Sequence, residues 1–277
     1  MSSIKSRKYN NNSSKYSPTR KYKVSDMSDC RQNESFCNAS GLLCDTTVIK
    51  LQSFIPVNQG NTDEVAGPLI LEKISEQYNK LPSYKIIMNI DDVVGGNGSE
   101  VDAIETKYNF HSHPEAAYIA HNCELGWPSR DDYITFLDGF FKYDTTFHII
   151  ASQEGVYILK INPCAITRLK EFYKLQKDKE KFIDNVDYWA DEYINISKIG
   201  FKKKNGVKAP KTGQLIKSPR EYVQFVNNVI CDKIKCKENV LELNVPMFDI
   251  EFIDWENASK KPFVFTVNKN KNGKCNL

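Results

Sequence analysis

Two histidines one residue apart, His111 and His113, stand in the run YNFHSHP. On a β-strand the side chains at i and i+2 leave the same face, so both imidazoles can reach one ion. The apolar lead-in fits a strand, and Pro114 marks its end. Downstream, Ser129, Asp131 and Asp132 stand in GWPSRDDY, at the start of a segment with helical spacing. Ser-x-x-Asp at a helix start is first of all a cap, in which the two side chains satisfy each other's backbone N–H groups. A capped helix also holds its carboxylate rigidly, and a rigid carboxylate beside two imidazoles makes a third metal ligand. Two nitrogens and one oxygen leave a fourth tetrahedral position for water, as a catalytic zinc site needs. At this level Asp131 and Asp132 compete for the third position.

Several elements must bring these residues together. TTVIKLQSFI and EVAGPLILEK read as strands, the second at a sheet edge because of Pro68. YKIIMNI (84–90) is a further β-rich run, and GGNG at 95–98 breaks the chain before AIETKYNFHSH. SRDDYITFLDGFFKY predicts a helix with Tyr133, Phe136, Leu137 and Phe140 on one side. TFHIIAS and GVYILKI, joined by QEG, predict a β-hairpin in which His148 reads as a packed histidine. Strands and helices interleave without a βαβ repeat. The expected class is therefore α/β in the α+β sense, a mixed β-sheet layered with helices over residues 47–162.

A chain of 277 residues, 40% hydrophobic and 26% charged, can bury a core without metals or disulfides holding it together. The net charge of +3 is too small to imply a nucleic-acid partner, and no base-stacking motif points to one. The charge is uneven, however. Lys5, Arg7, Lys8, Lys15, Arg20, Lys21 and Lys23 stand in residues 1–24 with no acidic residue among them. Residues 1–40 lack apolar periodicity and are expected to be a disordered basic tail, a solvated leader or a dock for an acidic partner. Residues 164–197 are charged and helix-prone, and 201–217 hold six lysines without an acid. SPREYVQFVNNVICDKI predicts a helix with Ser at the cap and Pro in the first turn, and VLELNVPMFDIEFIDW and PFVFTV are strand-like. Residues 164–277 are thus expected to form a C-terminal extension of unknown role. No stretch is apolar enough for a membrane helix and no secretory signal is read, so an intracellular location with reduced thiols is expected. Cys30, Cys37 and Cys44 recur every seven residues but without a CxxC pair, so no second metal site is read there.

HSHP followed by PSRDD resembles the H-x-H-P … S-x-x-D signature of the JAMM (MPN+ or JAB) metallopeptidases. The resemblance implies a cytidine-deaminase-like JAMM/MPN core over 47–162, Zn2+ as the metal, and His111, His113 and Asp132, rather than Asp131, as its ligands. It also implies a catalytic glutamate upstream of a Gly-containing strand, and Glu64 in NTDEVAGPLILEK fits. TFHIIASQEGVYILKI is similar to the family's closing hairpin. On this reading Glu64 takes the proton of a zinc-activated water and delivers it to the leaving amine. The Ser129 hydroxyl donates to the oxyanion, a contribution of about 3 kcal/mol in comparable holes. Glu72, Glu76, Glu100 and Glu105 stand in no matching context. The implied substrates are ubiquitin or ubiquitin-like conjugates on lysine. The alternatives are a metal-free MPN-type scaffold, and a basic binding module contacting nucleic acid or acidic protein. Two departures accompany the resemblance. Residues 115–128, with His121 and Cys123, lengthen the link between the two elements and are expected to border the substrate groove, and PVNQGNT does not read as the helix that often precedes the glutamate. The Asn-, Lys- and Ile-rich composition and the longer loop are similar to members encoded by large DNA viruses, which implies a host cell.

Overall fold

Side chains alternating between two faces of a strand build the main sheet of this protein. The computed structural model describes residues 36–55, 63–78, 80–96, 101–102, 104–115, 126–175, 207–209, 213–229, 233–235, 240–242, 247–269 and 275–276. Along the chain come β1 (Phe36–Leu43), β2 (Val65–Tyr78), β3 (Leu81–Met88), β4 (Val94–Gly95), β5 (Tyr108–Ser112), β6 (Phe147–Ala151) and β7 (Gly155–Ile161). After two short pairs, β8 (Val207–Lys208) with β9 (Leu215–Ile216) and β10 (Lys233–Lys235) with β11 (Val240–Glu242), follow β12 (Phe248–Asp254), β13 (Phe263–Lys269) and β14 (Cys275–Asn276). The α-helices among the described residues are α1 (Asp45–Ser53), α2 (Arg130–Tyr143), α3 (Ile166–Leu175) and α4 (Pro219–Val229).

Ten strands form one sheet in the order β12-β7-β6-β5-β2-β3-β1-β13-β14, with β4 beside β2. The β1–β3 and β5–β6 pairs are parallel and the others antiparallel. The sheet curls. Phe147 on β6 meets Phe263 and Phe265 on β13, with ring centroids 5.4 and 4.9 Å apart, although four strands lie between β6 and β13 in the order. Inside the curl lie Tyr108, Phe110, Phe147, Ile149, Val156 and Ile158. The alternate residues Ile150, Tyr157, Leu159 and Ile161 face outward and are covered by Tyr133, Phe136, Leu137 and Phe140 of α2 and Tyr222, Phe225 and Val226 of α4. Two apolar layers on opposite faces of one sheet give the mixed α/β class expected.

Several expectations change. TTVIKLQSFI holds α1 rather than a strand, because Val48, Leu51 and Ile55 recur at helical spacing and bury one side. Pro68 lies in an interior strand. β2 pairs with β5 through Pro68 and with β3 from Leu69, so the missing N–H falls where the strand changes neighbour. Residues 36–40, expected in the basic tail, open β1, which runs between β3 and β13. The sheet also takes β12 and β13 from beyond residue 164, beside β7 and β1 respectively. Cys37 and Cys164 are each disulfide-bonded, against the expectation of reduced thiols, and Cys44 is free. Among the described residues no helix is long and apolar enough to cross a membrane.

Candidate metal centre

β5 carries two different faces into the middle of the sheet. Tyr108 and Phe110 point into the curl, so Asn109 and His111 point to the face that carries α2. His113, just past the strand, keeps the same face, and its N–H donates to the Ala151 carbonyl at 2.7 Å. β2 brings Glu64 alongside. Ala66 is the antiparallel partner of His111, so one further step along the same register sets Glu64 opposite His113 and on its face. Val65 N–H donates to Ser112 Oγ at 3.0 Å and the Glu64 carbonyl accepts from Gly96 at 2.6 Å, which fixes the backbone on both sides. Glu64 is buried at 6% exposure. Gly67 permits this close approach: a Cβ there would sit 2.9 Å from the Phe110 ring.

The third contribution comes from the start of α2. Ser129 is its N-cap and closes a capping box, with Asp132 N–H donating to Ser129 Oγ at 3.3 Å and Ser129 N–H donating to Asp132 Oδ2. The cap leaves Asp132 Oδ1 free to face the histidines, 3.0 Å from His111 Nε2, while Oδ2 lies 3.5 Å from His113 Nε2. The two Nε2 atoms are 2.9 Å apart. Asp131 turns outward and pairs with Arg130 at 2.7 Å. His111, His113 and Asp132 thus form a buried group whose ligand atoms lie within 4.8 Å of one another, a group that could hold a metal ion.

The outer ring nitrogens are also occupied. His113 Nδ1 lies 3.0 Å from the Gly126 carbonyl, which can only accept, so this nitrogen carries a hydrogen and Nε2 is the nitrogen turned to the centre. The Gly126 N–H in turn donates to Glu154 Oε2 at 3.3 Å, and Ser152 Oγ donates to the same oxygen at 2.8 Å. His111 Nδ1 faces His148 Nε2 at 2.6 Å. The donor set therefore fits a cation, which would displace the protons shared there: two imidazole nitrogens and a carboxylate oxygen converge in a buried space.

Electrostatics follow from the crowding. Burial holds the His111 imidazole below the usual histidine range despite Asp132 nearby. Burial opposes charge on His113 too, but Asp132, with help from Glu64, outweighs it and lifts the group to about 9. Burial works against the Asp132 anion, yet the two histidines hold its carboxyl well below the usual range. The Glu154 carboxyl is pushed up by burial, and burial holds His148 well below the histidine range.

Three residues beyond the expected set brace the site. His148 and Glu154 back the two histidines. Tyr222 of α4 donates from its hydroxyl to the Pro128 carbonyl at 2.8 Å, meets the Tyr133 hydroxyl at 2.9 Å and stacks on Trp127, which ties α4 to the residues just before Ser129. The carboxylates of Glu72 and Glu105 stand on exposed residues. The side chain of Glu76, and Glu100, His121 and Cys123, lie outside the described residues.

No protein-family model, curated protein or solved structure matches this chain. The metal-binding potential of the site therefore stands on its own geometry.

Proposed function

We propose that the chain is a zinc-dependent hydrolase of amide bonds, a JAMM-like isopeptidase that removes ubiquitin or a ubiquitin-like modifier from lysine. One observation carries the reading: His111, His113 and Asp132 turn three electron-pair donors toward one buried point beside Glu64. Two nitrogens and one oxygen suit zinc with an open fourth position. Zinc bound there would polarise the scissile carbonyl and activate water near neutral pH.

The remaining steps belong to the chain. Glu64 accepts the attacking water's proton at its carboxylate and returns it to the leaving lysine amine. Its burial and its register opposite His113 support that role. Ser129 Oγ accepts the Asp132 N–H with one lone pair, so its own O–H stays available to donate to the developing oxyanion. Asp132 is held by the helix cap, which keeps Oδ1 aimed without a further conformational change. The HSHP … PSRDD resemblance supports the narrower step, from amides in general to the lysine isopeptide.

Metal analysis and a cleavage panel test this. Purified protein is expected to hold about one zinc per chain, lost with His111→Ala plus His113→Ala. Glu64→Gln keeps the zinc and loses cleavage of di-ubiquitin, because an amide cannot take the proton. A folded wild-type protein that takes up no zinc sinks the metal reading. Cleavage of small peptides with every ubiquitin linkage and modifier untouched would refute the substrate and leave the chemistry standing.

A further inference from the structure

Asn109, His148 and His111 form a row across the β5–β6 pair. Asn109 and His148 are parallel-register partners, and His111 is the next residue on the same face of β5. The row begins at two backbone carbonyls. Asn109 Nδ2 donates to Ile104 O at 2.8 Å and to Thr106 O at 3.2 Å, which uses both amide hydrogens and fixes Oδ1 on the opposite side. That oxygen meets His148 Nδ1. An amide oxygen only accepts, so Nδ1 of His148 carries the hydrogen and Nε2 of the neutral ring is an acceptor. His148 Nε2 lies 2.6 Å from His111 Nδ1, with the two rings 21° from parallel. His111 Nδ1 must then be the donor, which leaves His111 Nε2, 3.0 Å from Asp132 Oδ1 and 2.9 Å from His113 Nε2, as the nitrogen that a metal shared with those atoms would take.

We infer that His148, anchored by Asn109, is a positioning residue that fixes the tautomer and ring angle of His111 and so prepares its Nε2 for the metal. The inference rests on the metal-centre reading. It adds to it an imidazole where a ligand histidine commonly finds a carboxylate, carbonyl or water. Loss of such an outer partner typically weakens metal binding by about 10–100-fold.

Two measurements test it. The first needs no variant: long-range 1H–15N correlation spectra of the zinc-loaded wild-type protein report which nitrogen of each histidine carries the hydrogen. His111 and His148 are both expected to carry the hydrogen on Nδ1, and His148 found as the Nε2–H tautomer overturns the relay. The second is zinc competition against a chromogenic chelator. His148→Leu removes the acceptor and is expected to weaken zinc roughly 10–100-fold. His148→Gln, whose amide oxygen can take the place of Nε2, is expected to recover most of that loss. Equal affinity in His148→Leu and wild type, in an assay where His111→Ala loses zinc, overturns the inference. A wild-type protein that binds no zinc yet shows His148 as the Nδ1–H tautomer would remove the metal reading and leave the relay supported.

Discussion

Tyr222→Phe takes one oxygen from the structure and leaves the ring. Tyr222 gives its hydrogen to the Pro128 carbonyl at 2.8 Å, so its oxygen is left to accept from Tyr133, 2.9 Å away. Both contacts are buried, and the ring stacks on Trp127 at 4.9 Å in either form. The substitution therefore orphans two groups, the Pro128 carbonyl and the Tyr133 hydroxyl. At ~1–3 kcal/mol for each of the two buried groups left without a partner, the expected loss is about 2–6 kcal/mol. Tyr133→Phe alone removes only a donor to Tyr222 and is expected to cost about 1 kcal/mol. The double variant no longer contains the orphaned Tyr133 hydroxyl, so its cost falls short of the sum of the single costs by roughly 1 kcal/mol or more. Urea unfolding of the four proteins reads these differences, and chelator competition reads the site. Because Pro128 leads into the Ser129 cap that aims Asp132, zinc affinity falls together with stability. Additive single effects, or a Tyr222→Phe protein within 0.5 kcal/mol of wild type (roughly the error limit of such comparisons), would refute the brace.

Other outcomes follow from the same geometry. Asp132→Asn is expected to lose zinc retention, while Asp131→Asn leaves it unchanged, since Asp131 faces outward to Arg130; the reverse result would shift the ligand by one residue. Removing residues 1–40 cuts Phe36–Ser40 from β1, between β3 and β13, so the melting temperature should drop well below that of a protein starting at residue 36; equal melting temperatures would show that this end of β1 adds nothing. Burial opposes the Glu251 anion, but Lys160 and Lys261 hold its carboxyl below the usual range. A depressed folded-state pKa means that its stabilisation is complete above the unfolded value of ~4.3 and is lost as pH falls below it. Glu251→Gln should therefore narrow its stability gap to wild type as pH is lowered from 6 to 3 in urea titrations, on the order of one proton's linkage; a gap constant with pH would contradict the ion pairs.

The sequence made the local signals legible and hid the lateral ones. His111 and His113 share a face because alternation along a strand is a short-range rule, and α2 could be read because Tyr133, Phe136, Leu137 and Phe140 repeat at helical spacing. The Ser129–Asp132 box is equally local. Glu64 was reached through resemblance alone, since its approach to His113 depends on the β2–β5 register, which no nearby residue announces. α1 has the look of a strand in the sequence because Val48 and Ile49 are β-branched; only the burial of Thr47, Val48 and Leu51 on one side shows which period decides. The start of β1 is hidden for a similar reason: the partners that make FCNASGLL a strand, β13 and β3, lie far along the chain.

His148 shows the physical limit most clearly. In TFHIIAS it has the pattern of any half-buried strand residue, and nothing within ten positions marks it for chemistry. Its neighbours come from a parallel pairing, in which β6 reaches β5 only after the whole of α2 has crossed the sheet. The same crossing carries the Ser129–Asp132 cap over the histidines. One connection thus delivers the carboxylate to the inner nitrogen of His111 and, at its far end, an imidazole to the outer one. A shift of the β5–β6 register by a single residue would turn His148 into the curl and break the second delivery while leaving the first in place. The tautomer of His111 is therefore a readout of sheet register as much as of local chemistry.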